Sequence, residues 1–140
     1  MKWQPLPPLQ KKCSIPNEFK LQQLKREDVP KLVRDLNTWF PDIQVGSESC
    51  HLKEHFYYRN VFLDSEDDSK DIICGLLKKD VEIASFMTLQ RDRDAKTVFG
   101  RLAVVAPHNR GEKLAYFILS FLEAVGRSVG AELVYTFVSL

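Results

Sequence analysis

The chain has 140 residues, with 20 Lys+Arg against 19 Asp+Glu, a formal charge of +1, 44% apolar residues and 28% charged ones, which describes a single soluble globular domain. A domain of this size buries roughly two-thirds of its unfolded surface and needs neither disulfide nor metal to hold a core. Balanced charge argues against nucleic acid as a partner, and the lack of a membrane-length apolar run or a basic-then-apolar leader argues for the cytoplasm and against membrane contact.

Four of the seven prolines, Pro5, Pro7, Pro8 and Pro16, fall near the amino end. Their missing N–H donors and fixed φ disfavour helix and inner strand, so residues 1–18 are expected to form an extended arm ahead of a domain over residues 19–140. Cys13, Cys50 and Cys74 fit neither a CxxC pair nor a disulfide framework and read as ordinary thiols, with Cys74 packing as a small hydrophobe. Phe19–Leu24 suits a short strand. Arg26-Glu27-Asp28-Val29-Pro30 then reads as a helix start with an acid cap and an early proline. Val29, Leu32, Val33, Leu36, Trp39 and Phe40 follow at helical spacing until Pro41. A second helix is expected to begin near Ser47 or Ser49, carrying Leu52, Phe56 and Tyr57 inward, and the acidic run from Asp64 to Asp68 reads as a solvated loop.

Asp71–Leu77 and Val81–Gln90 read as strands around a hairpin turn at Lys78-Lys79-Asp80, and Arg91–Asp94 as a second polar connection. Thr97–Ala106 is a third strand, ended by Pro107. Gly111 is expected to open a helix whose Leu114, Ala115, Phe117, Ile118, Phe121, Leu122, Val125 and Val129 share one buried face, and Ala131–Leu140 returns as a strand after the break at Gly130. The order is β-α-α-β-β-β-α-β, without repeats. Three strands joined by short turns should be antiparallel, and the closing strand-helix-strand unit should be a right-handed parallel crossover. An α/β (α+β) fold follows, with a mixed, mostly antiparallel sheet flanked by helices.

The most informative stretch runs from Leu102 to Ala115. A buried strand ends at a proline, and a helix begins a few residues later at an Arg-Gly step, which aims the helix's first free N–H groups and positive dipole end beyond the strand's carboxyl end. Such a place suits a phosphate or pyrophosphate. A Walker loop is excluded, because Arg110-Gly111-Glu112-Lys113 has one glycine where two are needed.

Val105-Ala106-Pro107 followed by Arg110-Gly111-Glu112-Lys113-Leu114-Ala115 resembles the acetyl-CoA-binding segment of the GNAT superfamily of N-acetyltransferases, which reads Gln/Arg-x-x-Gly-x-Gly/Ala after a strand. The element order from Phe19 to Leu140 and the closing Gly126-Arg127…Gly130-Ala131 are similar as well. The resemblance implies a splayed sheet in which strand Thr97–Ala106 parts from strand Ala131–Leu140, with pantetheine bonded to main-chain groups near Val104 and Val105. It places the pyrophosphate of acetyl-CoA on the segment from Arg110 to Ala115, and it implies direct attack by a primary amine of a small molecule or peptide, with no metal. Glu82 and Tyr135 are the candidates for the acid–base roles, by location on neighbouring strands. An exposed edge on the last strand would favour a homodimer.

Two departures from the family pattern stand out. Lys113 occupies the family's central glycine position, where its side chain either collides with the pyrophosphate or turns its ammonium toward it. The chain also stops at Leu140, where relatives continue with a helix and two strands that often supply a tyrosine acid. The corresponding alternative is a non-catalytic CoA-binding or partner-binding module of the same fold. A different chemistry is offered by His51-Leu52-Lys53-Glu54-His55, which matches the His-x-x-Glu-His pattern of inverted zinc peptidases; the plainer reading of His51, Glu54 and His55 is a solvated helical face.

Overall fold

The aliphatic runs on either side of Asp80 pair as long antiparallel strands in the structure, a computed structural model that describes residues 2–7, 13, 15–39, 43–45, 48–50, 70–109 and 114–136. The chain divides into one unit of Met1–Gln23 with Asp64–Leu140 and another of Leu24–Leu63.

The larger unit is built on a six-stranded mixed sheet. Its strands are β1 (Lys2–Gln4), β2 (Phe19–Gln23), β5 (Lys70–Lys79), β6 (Glu82–Asp92), β7 (Thr97–Val105) and β8 (Leu133–Thr136), with helix α2 (Leu114–Ser128) between the last two. The antiparallel meander β5-β6-β7 and the parallel pairing of β7 with β8 are as the sequence implies. β1, inside the proline-rich arm, adds in parallel to the outer edge of β5 at Asp71–Ile73, and β2 adds antiparallel further along that edge. Both take edge positions, where a neighbouring proline costs no ladder bond.

The β5–β6 turn lies at Asp80-Val81 and so begins two residues later than expected. Lys78 and Lys79 stay in the ladder opposite Ile83 and Glu82, and Asp80 takes the left-handed conformation (φ 55) that a short polar side chain tolerates. One sheet face packs on α2: Ile73, Leu77, Met87, Leu89 and Val98 meet Leu114, Phe117, Phe121, Leu122 and Val125. Leu6, Cys13 and Ile15 of the arm are packed against this cluster, and Ser120 of α2 hydrogen-bonds Cys13.

α2 ends in a Schellman motif. Ala131 N–H donates to the Gly126 carbonyl at 2.9 Å and Gly130 N–H to that of Arg127 at 3.3 Å, with Gly130 at φ 72. Gly126 is where the helix meets β8, since a Cβ there would collide with Cγ1 of Val134.

In the smaller unit, a single 3-10 turn at Arg26–Asp28 leads into α1 (Val29–Trp39). Lys25 N–H donates to the Asp28 carboxylate at 3.0 Å while Asp28 N–H donates to the Lys25 carbonyl, a reciprocal cap that explains the start here. Val29, Leu32, Val33 and Leu36 are buried as their spacing predicts. The start expected for a second helix is corrected at Ser49: β3 (Ile43–Val45) pairs antiparallel with β4 (Glu48–Cys50), so Ser49 is in a strand. β-Branched Ile43 and Val45 beside Gly46-Ser47 favour a hairpin over a helix. Leu52, Phe56, Tyr57 and the acidic run lie outside the described residues.

Gly126→Ala is expected to lower stability by about 1–3 kcal/mol despite alanine's higher helix propensity, because the added methyl overpacks the α2–β8 contact. Urea unfolding with an unchanged or raised midpoint would refute that contact.

Candidate active site

The described pairing of β7 with β6 runs from Thr97 to Val105, and its described pairing with β8 from Thr97 to Gly100, opposite Thr136, the last described residue of β8. The ladder with β6 also shifts there: Leu89 faces Gly100 while Thr88 faces Leu102, so Arg101 is an extra residue, a bulge that bends the strand. The bulge lies just past the last described β7–β8 pair. From Arg101 to Val105, no strand among the described residues covers the outer edge of β7.

The free groups on that edge follow from alternation along a strand. Ala106 N–H donates to the Ala84 carbonyl at 2.8 Å, and the Val104 carbonyl accepts Ser85 Oγ at 2.8 Å, so both residues turn their main-chain groups toward β6. Ala103 and Val105 therefore turn theirs outward, into the fork. At its root, Thr136 Oγ1 donates to the Gly100 carbonyl at 2.8 Å, and a Cβ on Gly100 would lie 3.1 Å from that oxygen. Beside it is an apolar recess of about 30 Å³, walled by Met87, Gly100, Ala103, Ile118, Leu119 and Thr136 among others.

Beyond Val105 the chain makes a 3-10 turn at Pro107–Asn109, closed by Asn109 N–H on the Ala106 carbonyl at 2.9 Å. Asn109 is buried, and His108 is exposed. Arg110, Gly111, Glu112 and Lys113 lie outside the described residues; the described helix begins at Leu114, which is buried, and Ala115 follows within it. His51, Glu54 and His55 are also outside the described residues, and among the described ones no cluster of His, Cys, Asp and Glu is arranged to hold a metal.

The two candidate acid–base residues are far apart. Glu82 is exposed at the start of β6, at the Val105 end of the sheet. Tyr135 is 40% exposed on β8 and pairs with Phe99, which pairs in turn with Gln90. Gln90 is eight residues along β6 from Glu82, about 25 Å at the usual strand rise. Tyr135 stacks on Phe99 with centroids 5.0 Å apart and planes at 17°, close to the root of the fork.

Sequence reasoning passed over the polar cluster behind the fork. Cys74, Thr88 and Arg101 come from three adjacent strands, with Cys74 Sγ 3.9 Å from Thr88 Oγ1. Burial lowers the pKa of the Arg101 guanidinium, an effect offset in part by Cys74. Burial pushes the Cys74 thiol up to about 12, against smaller opposing effects from Thr88 and Arg101. The available signal was Gly100-Arg101 inside an otherwise apolar strand, since a strand glycine often marks a bulge.

The Cys74 thiol should stay protonated and resist iodoacetamide at pH 8.5 until the chain unfolds. Because the native state holds this proton above the ordinary thiol value of 9.0, its contribution to stability should fall as pH rises from about 9 toward 12. Equal alkylation rates for folded and unfolded protein would contradict this placement.

No protein-family model and no curated protein matches this sequence. Solved structures do match. The dodecameric spermidine N-acetyltransferase of Vibrio cholerae superposes with a TM-score of 0.61 at 14% identity, over 89% of this chain and 72% of that one. The ribosomal-protein-S18-alanine N-acetyltransferase of Escherichia coli gives 0.60 at 13% identity, over 84% of this chain and 65% of that one. An aminoglycoside acetyltransferase from an uncultured soil metagenomic sample gives 0.57 at 13% identity, over 88% and 79%. The likeness establishes the fold.

Proposed function

We propose, from the acyl-CoA N-acyltransferase fold that the chain shares with these structures, that it is an N-acetyltransferase moving an acetyl group from acetyl-CoA to a primary amine by direct attack. The observation that carries this reading is the fork: an edge of β7 whose Ala103 and Val105 main-chain groups face outward, beginning at a bulge and leading to the turn before α2.

Outward N–H and C=O groups on a strand edge suit the amides of a pantetheine arm, which would bond there as an added strand. Val105 fits this role; Val104, also expected near the arm, has its carbonyl engaged by Ser85. The pyrophosphate would then meet the segment Arg110-Gly111-Glu112-Lys113 and the N–H groups of Leu114 and Ala115, where the helix dipole favours negative charge. With the phosphates at that end, the thioester would lie toward Gly100 and the bulge at Arg101.

There the amine nitrogen attacks the thioester carbonyl, forming the C–N bond. Collapse breaks the C–S bond, the nitrogen loses a proton and the departing thiolate gains one. Tyr135 is placed on the strand that forms the fork's other side and is the closer candidate for protonating the thiolate. Glu82, at the phosphate end, is too far along the sheet to share an atom with it, so any part it plays as a base runs through water or through the acceptor. Small-molecule amines and peptide amines both remain within this reading, and no metal takes part.

β8 closes the sheet order among the described residues and exposes Leu133 and Tyr135, so a homodimer through this strand belongs to the same reading. No helix among the described residues is long and apolar enough to cross a membrane.

Calorimetry with acetyl-CoA should give saturable binding, and an amine panel including spermidine and amino-terminal alanine peptides should show thiol release. Ala103→Pro, which fixes φ and removes an outward donor, should abolish binding, while Tyr135→Phe should cut turnover by about 10²–10⁴-fold with binding kept. Binding without turnover on any amine would favour the non-catalytic CoA-binding module. Absence of binding at millimolar acetyl-CoA would end both readings.

A further inference from the structure

A second cavity, of about 300 Å³, lies at the opposite end of the sheet, where β1, the start of β5 and the end of β6 come together. Asp71 there pairs with Arg91, far along the strands from Val105. The volume is about ten times the share of one water, too large for an ordinary packing defect and at the lower end of small-molecule sites.

The charges lining it do not balance. The Asp71 side chain is 2% exposed, and its Oδ1 accepts Arg93 Nη1 at 2.9 Å and Gln4 Nε2 at 3.4 Å. That pair is neutral. Arg91, half-buried, also lines the cavity, and its Nη2 donates to the Val129 carbonyl at 3.3 Å. A guanidinium carries five N–H donors, so this bond leaves most of its capacity unspent. Asp92, the next residue along, does not line the cavity, and its Oδ1 accepts Ala95 N–H at 3.0 Å. Among the described residues that line it, the cavity thus holds one positive charge in excess, on a group suited to a planar oxyanion. Pro5 and Pro7 supply a wall without N–H donors.

We propose that this cavity binds a small monocarboxylate with a compact aliphatic body, its carboxylate on Arg91 and its body against Pro5 and Pro7. One negative charge matches the excess, whereas the second charge of a phosphate would stand uncompensated near Asp71. The ligand would touch both the arm and the sheet, so it would hold β1 on β5. The site is independent of the acetyl-transfer reading.

The test is a titration of the ¹⁵N-labelled full chain, followed by amide shifts, with isovalerate, its neutral amide isovaleramide, and inorganic phosphate. Isovalerate should give saturable shifts at Gln4, Asp71, Arg91 and Arg93 at millimolar concentrations, with isovaleramide and phosphate at least about tenfold weaker. Arg91→Gln should weaken isovalerate by a similar factor while leaving shifts elsewhere in place. An equal response to isovaleramide, an equal response to phosphate, or no saturable shift would each overturn the proposal. The acid-against-amide comparison uses the natural chain, so it decides the question even if the variant does not fold.

Discussion

β7 has two neighbours that ask different things of it. Along β6 it keeps an antiparallel ladder to Val105, and along β8 a parallel one described from Thr97 to Gly100. A straight strand would offer both edges equally. The extra residue at Arg101 breaks that symmetry, keeping the inner edge paired while the outer edge turns away. The outward Ala103 and Val105 groups, the recess beside Gly100 and the position of the turn before α2 all depend on this local bend.

Close approach on the helical side keeps the fork in place. Gly126 lets α2 come against Val134, Gly100 leaves room for the Thr136 hydroxyl to reach its carbonyl, and a Cβ on Gly75 would stand 3.0 Å from the Phe121 ring. Each glycine has a different partner, yet together they hold helix, β7 and β8 at spacings that larger residues would open. Glu132 N–H donating to the Lys96 carbonyl at 2.8 Å then aligns the start of β8 with the start of β7. The two strands therefore begin in register.

The polar groups behind and beyond the fork are arranged differently. Arg101 is half-buried beside a thiol that burial keeps neutral. At the far end, Asp71 is almost wholly buried and already matched by Arg93, and the excess charge belongs to Arg91. In both places an arginine of the meander sits where an aliphatic residue would satisfy packing alone.

The sequence by itself determined the meander, the α1 and α2 stripes and the parallel return of β8, because periods of two and of three to four residues report directly which side chains avoid water. It misplaced a helix start at Ser49, where strand pairing with Ile43–Val45 won, and such pairing is a choice that periodicity does not encode. Only the tertiary structure decided where β7 bulges, which of its edges is free, how far Glu82 stands from Tyr135, and that Arg91, Arg93, Asp71 and Gln4 share one cavity. Each of these depends on register between segments distant in the chain, and a shift of one residue there reverses which face every side chain takes.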